Sequence, residues 1–218
     1  MREYIFKLLL SLPGALFAFT IRGYAQALTA TKLGDPTPRN SGRLTMNPLV
    51  HLDPIGFLFI LLFGFGWTKS VPVNTRNFKR IKRDNAIFIL SGPIGCMLGS
   101  FLMCFLTYLV YALIGWFPAL NAGVAIIVAQ IFFYAASLCM FLGFFYLIPL
   151  PGFDGYNLIA NFVPYQYYRK LYNLERYSMY IFIGFIILLQ VPGVQNVLFW
   201  PANQLLNLFR RFWALILL

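Results

Sequence analysis

Residues 86–115 read AIFILSGPIGCMLGSFLMCFLTYLVYALIG, an apolar stretch without any aspartate, glutamate, lysine or arginine. As a helix it is about 45 Å long, which exceeds the roughly 30 Å of a bilayer's hydrocarbon core. The composition agrees, because 60% of the 218 residues are hydrophobic and only 11% are charged. A soluble domain of this size buries too little surface to hide so many apolar side chains. The sequence therefore predicts an all-α integral membrane protein.

Four further apolar stretches predict the rest of a polytopic helical bundle: 4–31, 124–148, 178–191 and 197–218. The first has Pro13-Gly14 as an expected kink, and no small-residue cleavage site follows it, so we expect a mature membrane helix and no signal peptide. Residues 197–218 fit either an interfacial amphipathic helix or a last span. Residues 54–67 are apolar but short, which favours a re-entrant segment or a short tilted helix.

The net charge of +11 is carried mainly by basic residues that lie between the apolar stretches. Cytoplasmic loops of membrane proteins have this bias, so we expect loops 32–53, 69–85 and 151–177 to face the cytoplasm and loop 115–123 to face outward. A nucleic-acid-binding protein would instead present a basic face on a soluble module. We therefore expect membrane lipids and a membrane partner as contacts, and no nucleic acid.

The loop 32–53 is polar and predicts one short strand around Arg43–Met46. His51, the only histidine, is expected to form a hydrogen bond within this loop and not to bind a metal. The three cysteines lie in apolar stretches without a CxxC pair, which is typical of small buried side chains: Cys96, Cys104 and Cys139.

Polar motifs between the apolar stretches carry a resemblance to a known family. They read ALTATKLGDPT at 27–37, GRLTMNPLVHLDPIG at 42–56, GWTKSVPVN at 66–74 and LIPLPGFDG at 147–155. In this order and spacing, over about residues 15–160, the sequence resembles the site-2 proteases, which are intramembrane zinc metallopeptidases. It looks like a short bacterial member, so the resemblance implies the bacterial plasma membrane. It also implies a single membrane domain over 1–218, with a protease-like core at about 4–160 and additional membrane or interfacial helices at about 178–218.

The resemblance places Arg22-Gly23-Tyr24-Ala25-Gln26 where the family has His-Glu-x-x-His. In the family the two histidines and the aspartate of a later Asp-Gly motif bind zinc, and the glutamate activates water. Here Arg22 replaces the first ligand, Gly23 the general base and Gln26 the second ligand, while Asp154 survives. A guanidinium has no lone pair to give and glycine has no side chain to accept a proton. With a single histidine, no two-histidine site can form.

Cys96 and Tyr146 stand where the family has asparagines, and changes at several separate positions favour relaxed selection over a laboratory knockout of one residue. Arg22 and Gln26 are four residues apart and share one helix face. We expect Arg22 to pair with Asp154 in the vacated metal site, because an unpaired buried carboxylate is costly. The alternative is that Arg22 snorkels to the membrane interface.

The resemblance thus implies a catalytically inactive protein, a pseudoprotease, that binds or scaffolds a membrane partner. Its catalytic positions Arg22, Gly23, Gln26 and Asp154 are vestigial, and we expect no cofactor and no metal residues. One alternative is an active zinc metalloprotease with atypical ligands, such as cysteine thiolates beside Asp154. Another is a structural subunit of a larger membrane complex. A transporter or channel is disfavoured, because Arg22 and Asp154 are its only candidate pathway charges.

Overall fold

The chain was analysed as a computed structural model, which describes residues 2–63, 66–117 and 121–218. The α-helices of this part are α1 (Arg2–Lys32), α2 (Thr37–Asn40), α3 (Pro48–His51), α4 (Pro54–Phe63), α5 (Ile81–Trp116), α6 (Ala122–Leu147), α7 (Asp154–Phe162), α8 (Tyr168–Arg176), α9 (Ser178–Leu189), α10 (Val194–Leu198) and α11 (Trp200–Leu217). Single 3-10 turns lie at Thr75–Asn77 and Tyr165–Tyr167.

Three helices are long and apolar enough to cross a membrane: Leu8–Lys32 within α1, Ile81–Trp116 and Ala122–Leu147. They confirm the polytopic all-α architecture and the spans predicted in these regions. The helix expected at 178–191 is also present as α9, but its 12 residues extend only about 18 Å. It is therefore too short to cross the hydrocarbon core alone.

Helices α1, α5 and α6 pack against one another and form the centre of the molecule. Small side chains on α1 permit this close packing, since Ala15 and Ala18 are fully buried beside Phe19. The same apolar cluster contains Phe145 of α6 and Phe199, which precedes α11. The C-terminal helices are therefore packed onto the same core as the three long helices.

Two predicted connecting segments are only partly described. The short helix expected within 54–67 is present as α4, and residues 64–65 lie outside the described residues. The outward loop expected at 115–123 is bounded by the end of α5 and the start of α6, and its residues 118–120 are likewise outside the described part.

The strand predicted around Arg43–Met46 is wrong, and the described chain contains no strand. The Arg43 backbone N–H donates to the Pro38 carbonyl at 2.8 Å, and its guanidinium donates to the Val50 carbonyl. The Thr45 carbonyl accepts a hydrogen bond from His51. Because these groups are used within the loop itself and no strand lies beside it in the described chain, the segment forms turns.

Asp35 joins the end of α1 to the segment that precedes α5. Its fully buried carboxylate accepts hydrogen bonds from the Thr37 backbone N–H at 3.1 Å and hydroxyl at 2.6 Å. It also accepts from the Asn74 backbone N–H at 2.8 Å and from the Asn77 side-chain amide at 2.7 Å. This junction anchors the end of the non-helical segment 67–74, which forms one wall of the site described next.

Candidate functional site

Arg22 and Asp154 form a buried ion pair at the centre of the molecule. The Arg22 Nη2 atom lies 2.6 Å from Asp154 Oδ2, and the two side chains are 4% and 10% exposed. Arg22 Nη1 donates to the Thr68 hydroxyl at 2.7 Å, while Nε has no partner among the described residues. The pair predicted from the sequence is therefore present, and the snorkelling alternative for Arg22 is wrong.

Tyr146 completes the enclosure of the guanidinium. Its ring centroid lies 3.4 Å from the Arg22 Cζ atom, which places the cation over the π face. Its hydroxyl accepts a hydrogen bond from the Thr68 backbone N–H at 2.8 Å and lies 3.2 Å from the Thr68 hydroxyl. Sequence reasoning missed this role for Tyr146 and Thr68. The usable signal was the aromatic residue at a position where the resemblance implies an asparagine.

Gln26 lies on the same face of α1 as Arg22, as its spacing predicts, and it lines the same cavity as Arg22 and Asp154. Burial raises the pKa of the Asp154 carboxyl, while the Arg22 charge and the hydrogen bond from Arg22 oppose that rise. Arg22 and Gln26 therefore both face the space beside Asp154, and Arg22 supplies a hydrogen-bond donor to it.

The position of Asp154 depends on the glycine that follows it. A Cβ atom on Gly155 would lie 2.1 Å from the Leu147 carbonyl oxygen, so only glycine lets the start of α7 approach the end of α6 this closely. This close approach holds the first residue of α7 against the middle of the bundle. Asp154 and Gly155 are the first two residues of helix α7, and the tight turn lies before them, at Gly152, which has a positive φ of 92°.

Gly23 adjoins the imidazole of His51. A Cβ atom on Gly23 would lie 2.2 Å from His51 Nδ1, so the ring occupies space that a side chain at this helix position would need. His51 Nε2–H donates to the Thr45 carbonyl at 2.8 Å, which confirms the hydrogen bond predicted within the loop. Nδ1 has no partner in the described part of the chain, and burial lowers the pKa of the ring. No sequence pattern linked Gly23 to His51.

A cavity of about 910 Å³ opens beside the ion pair. Arg22, Gln26 and Asp154 lie in its wall, and most of the remaining lining is apolar and comes from α4, α9 and the segment 67–73. Within the described chain, the backbone groups of Ser70, Val71 and Val73 make no hydrogen bond. The cavity thus combines an apolar surface with a non-helical segment in which the backbone groups of these three residues are free.

The donors around Asp154 differ from those of a zinc site. Of the four motif positions, only Asp154 carries a group that commonly binds zinc. The three cysteines are buried and free, as predicted. Across residues 2–63, 66–117 and 121–218, no group of three or more histidine, cysteine, aspartate or glutamate side chains could hold a metal ion. The described residues therefore do not fit a zinc ion.

Comparison with known proteins settles the family. Over 200 residues the chain is 36% identical to a Bacillus subtilis protein named "Putative zinc metalloprotease YwhC", covering 89% of this chain and 88% of that relative. The chain belongs to the site-2 protease family.

A second site-2 protease relative is "Putative zinc metalloprotease Rip2" of Mycolicibacterium smegmatis. It is 25% identical over 209 residues, which cover 90% of this chain and 73% of the relative. No family model and no solved structure matches the chain. The family predicted from the sequence motifs is confirmed by the two named relatives.

Proposed function

We propose that this site-2 protease family member is a catalytically inactive pseudoprotease that binds a segment of a membrane partner in its cavity. The Arg22–Asp154 ion pair carries the proposal. It holds a permanent cation 2.6 Å from the one surviving carboxylate ligand position, where the family has a zinc ion. A divalent ion at this place would face an adjacent like charge and a carboxylate oxygen that already accepts a strong hydrogen bond.

The position of the general base supports the same proposal. Gly23 offers no proton acceptor, and the His51 ring stands within the space that a side chain there would fill. Metal-assisted hydrolysis needs both a metal with an open position and a base that activates water. These residues supply neither, whereas the cavity beside them is well suited to binding.

The cavity supports a binding role for an extended peptide. Ser70, Val71 and Val73 offer free backbone groups, and an added strand would satisfy them as in other cases of strand addition. Apolar side chains of α9, including Phe182 and Ile183, face the same space. A partially unwound transmembrane segment meets both requirements, since it is apolar and its backbone needs partners.

The orientation in the membrane is part of this proposal. Hydrogen bonds join the loops expected to be cytoplasmic: the Asn74 backbone N–H donates to Asp35, and the Asn85 side-chain amide donates to Asn161 at 2.9 Å. The three basic loops 32–53, 69–85 and 151–177 therefore lie at one end of the bundle. We infer that this end faces the cytoplasm of a bacterial plasma membrane, and that residues 1–218 form one domain whose later helices cover the protease-like core.

Metal analysis tests the proposal that the protein is catalytically inactive. Wild-type protein purified with zinc present should bind almost none, whereas the matched double variant Arg22→His with Gln26→His should bind about one ion per chain. The double variant restores two imidazoles opposite Asp154 and leaves Gly23 unchanged. About one zinc in the wild type, together with zinc-dependent cleavage of a membrane peptide, would establish the active-protease alternative.

Peptide binding in vesicles tests the binding part. A labelled leucine-alanine transmembrane peptide with a central Gly-Ser stretch should bind the wild type, and Ile183→Trp, which fills the cavity, should weaken binding at least about tenfold. Leu188→Trp is the control, because Leu188 lies on the same helix but outside the cavity lining. Equal binding by both variants, with stoichiometric partner subunits co-purifying, would instead establish the structural-subunit alternative.

A further inference from the structure

The last helix, α11, lies against the middle of the membrane spans. The Trp213 indole N–H donates to the Phe101 carbonyl at 3.2 Å, and the two ring centroids are 4.9 Å apart. Phe101 lies near the midpoint of α5. The Arg210 Cζ atom lies 5.1 Å from the ring centroid of Phe133, near the midpoint of α6. The C-terminal half of α11 is therefore at the depth of the bilayer interior.

One face of α11 is apolar and packed, and another is polar and exposed. Leu206, Phe209 and Trp213 pack against the cluster formed by α5 and α6. Four polar side chains are exposed and form what we call the polar stripe: Asn203, Gln204, Asn207 and Arg211. Asn203, Asn207 and Arg211 are four residues apart, so they share one helix face, which points away from the bundle.

Arg211 is the stripe residue that lies at this depth, and it needs a partner outside the described chain, whereas Asn207 already accepts a hydrogen bond from Arg210 at 3.4 Å. A charged side chain in hydrocarbon is costly unless it is paired, and intramembrane arginines normally face protein or water. Among the described residues the only salt bridge joins Arg22 to Asp154, so Arg211 has no carboxylate partner there. The hydrocarbon midplane is about 15 Å from either headgroup layer, farther than an arginine side chain reaches.

The carboxylate that Arg211 lacks indicates which molecule binds the polar stripe. A second copy of this chain is a poor source, because Asp35, Asp84 and Asp154 are buried within their own subunit. Glu3, Asp53 and Glu175 lie outside the candidate membrane spans. A carboxylate on another protein's transmembrane helix would accept paired hydrogen bonds from the Arg211 guanidinium. The amide side chains of the stripe would add hydrogen bonds between the two helices.

We propose that the polar stripe of α11 docks a transmembrane helix of another protein that carries an aspartate or glutamate near the middle of its span. The surface is separate from the cavity, since none of the four stripe residues lines it. The proposal therefore stands or fails independently of the pseudoprotease function.

The experiment uses full-length protein in phosphatidylcholine vesicles at pH 8, with energy transfer to a synthetic polyleucine transmembrane peptide. A peptide with one central aspartate should bind at least about tenfold more tightly than the same peptide with leucine there, which corresponds to about 1.4 kcal/mol. Arg211→Leu should remove the difference. Arg176→Leu, at an exposed arginine outside α11, should keep it.

Three outcomes would overturn the proposal. Equal binding of the aspartate and leucine peptides by the wild type would show that no carboxylate is recognised. Arg211-dependent energy transfer between labelled copies would identify a second copy as the occupant. Loss of peptide binding on adding phosphatidylglycerol would identify lipid phosphate as the occupant. Ile183→Trp should bind the aspartate peptide as the wild type does, which separates this surface from the cavity.

Discussion

Asp35 and Asp154 are both buried carboxylates in polar motifs of the family, but they are compensated in different ways. Asp35 accepts four hydrogen bonds from neutral donors, all within 3.1 Å. Asp154 instead lies 2.6 Å from the Arg22 guanidinium. The first arrangement is supplied by the loops themselves, whereas the second depends on one side chain from a distant helix.

The contrast indicates which of the two carboxylates needs a charged partner and which does not. The Asp35 junction needs only backbone N–H groups and two polar side chains, so it is independent of the reaction chemistry. Asp154 requires a positive neighbour, because an isolated buried carboxylate is unstable. Arg22 supplies that charge in this chain, and the Tyr146 ring and Thr68 hydroxyl hold it in place.

Removing the Arg22 charge is expected to have the largest effect. Arg22→Leu leaves Asp154 buried without its cation and should lower the free energy of unfolding by about 3–5 kcal/mol. Denaturant unfolding in mild detergent measures the change. In the double variant Arg22→Leu with Asp154→Asn the loss should be smaller, because no charge is left uncompensated. Equal losses in the single and double variants would contradict the ion-pair interpretation.

A substitution at Asp35 should lower the free energy of unfolding less than Arg22→Leu does. Asp35→Asn keeps the shape but removes the charge that accepts four hydrogen bonds, and should cost about 1.5–3 kcal/mol in the same assay. Asp53→Asn is the matched control, because Asp53 accepts hydrogen bonds at the start of α4 and asparagine caps helices equally well. If Asp35→Asn costs more than Arg22→Leu, the proposed ranking of the two sites is wrong.

The dependence of the unfolding free energy on acid tests the hydrogen bonds of Asp35. Burial acts to raise the pKa of Asp35, but hydrogen bonds from Thr37, Asn74 and Asn77 outweigh it and lower the pKa. A carboxyl with a lowered folded-state pKa stabilises the fold above its unfolded pKa of about 4, and that stability is lost as the pH falls further. In Asp35→Asn this acid-dependent component should be missing below about pH 4.

The sequence predicts the three spans because hydrocarbon thickness demands long apolar helices. It also predicts the Arg22–Asp154 pair, since the family motif places both residues at one metal site. The strand at Arg43–Met46 fails because the loop satisfies its polar groups internally, which local composition does not reveal. The contacts of Tyr146 with Arg22 and of His51 with Gly23 depend on helix packing across the chain, so residue spacing alone does not predict them.

A third buried group, His51, sharpens the comparison because it has neither an ion pair nor four hydrogen bonds. Burial and the nearby Arg43 charge lower its pKa, although the Thr45 hydrogen bond opposes this. Its neutral form therefore stabilises the fold above the unfolded pKa of about 6.5, and stability falls as the pH drops below that value. The loss can reach at most about 1.4 kcal/mol per pH unit for one group.

Unfolding measured between pH 7.5 and 5.5 should show this slope in the wild type and not in His51→Asn, which cannot titrate. Arg176→Leu, at an exposed arginine, serves as the control and should keep the wild-type slope. An unchanged slope in His51→Asn would show that another group titrates in this window. In that case His51 would contribute to the site only through the steric packing of its ring against Gly23, and not through its charge.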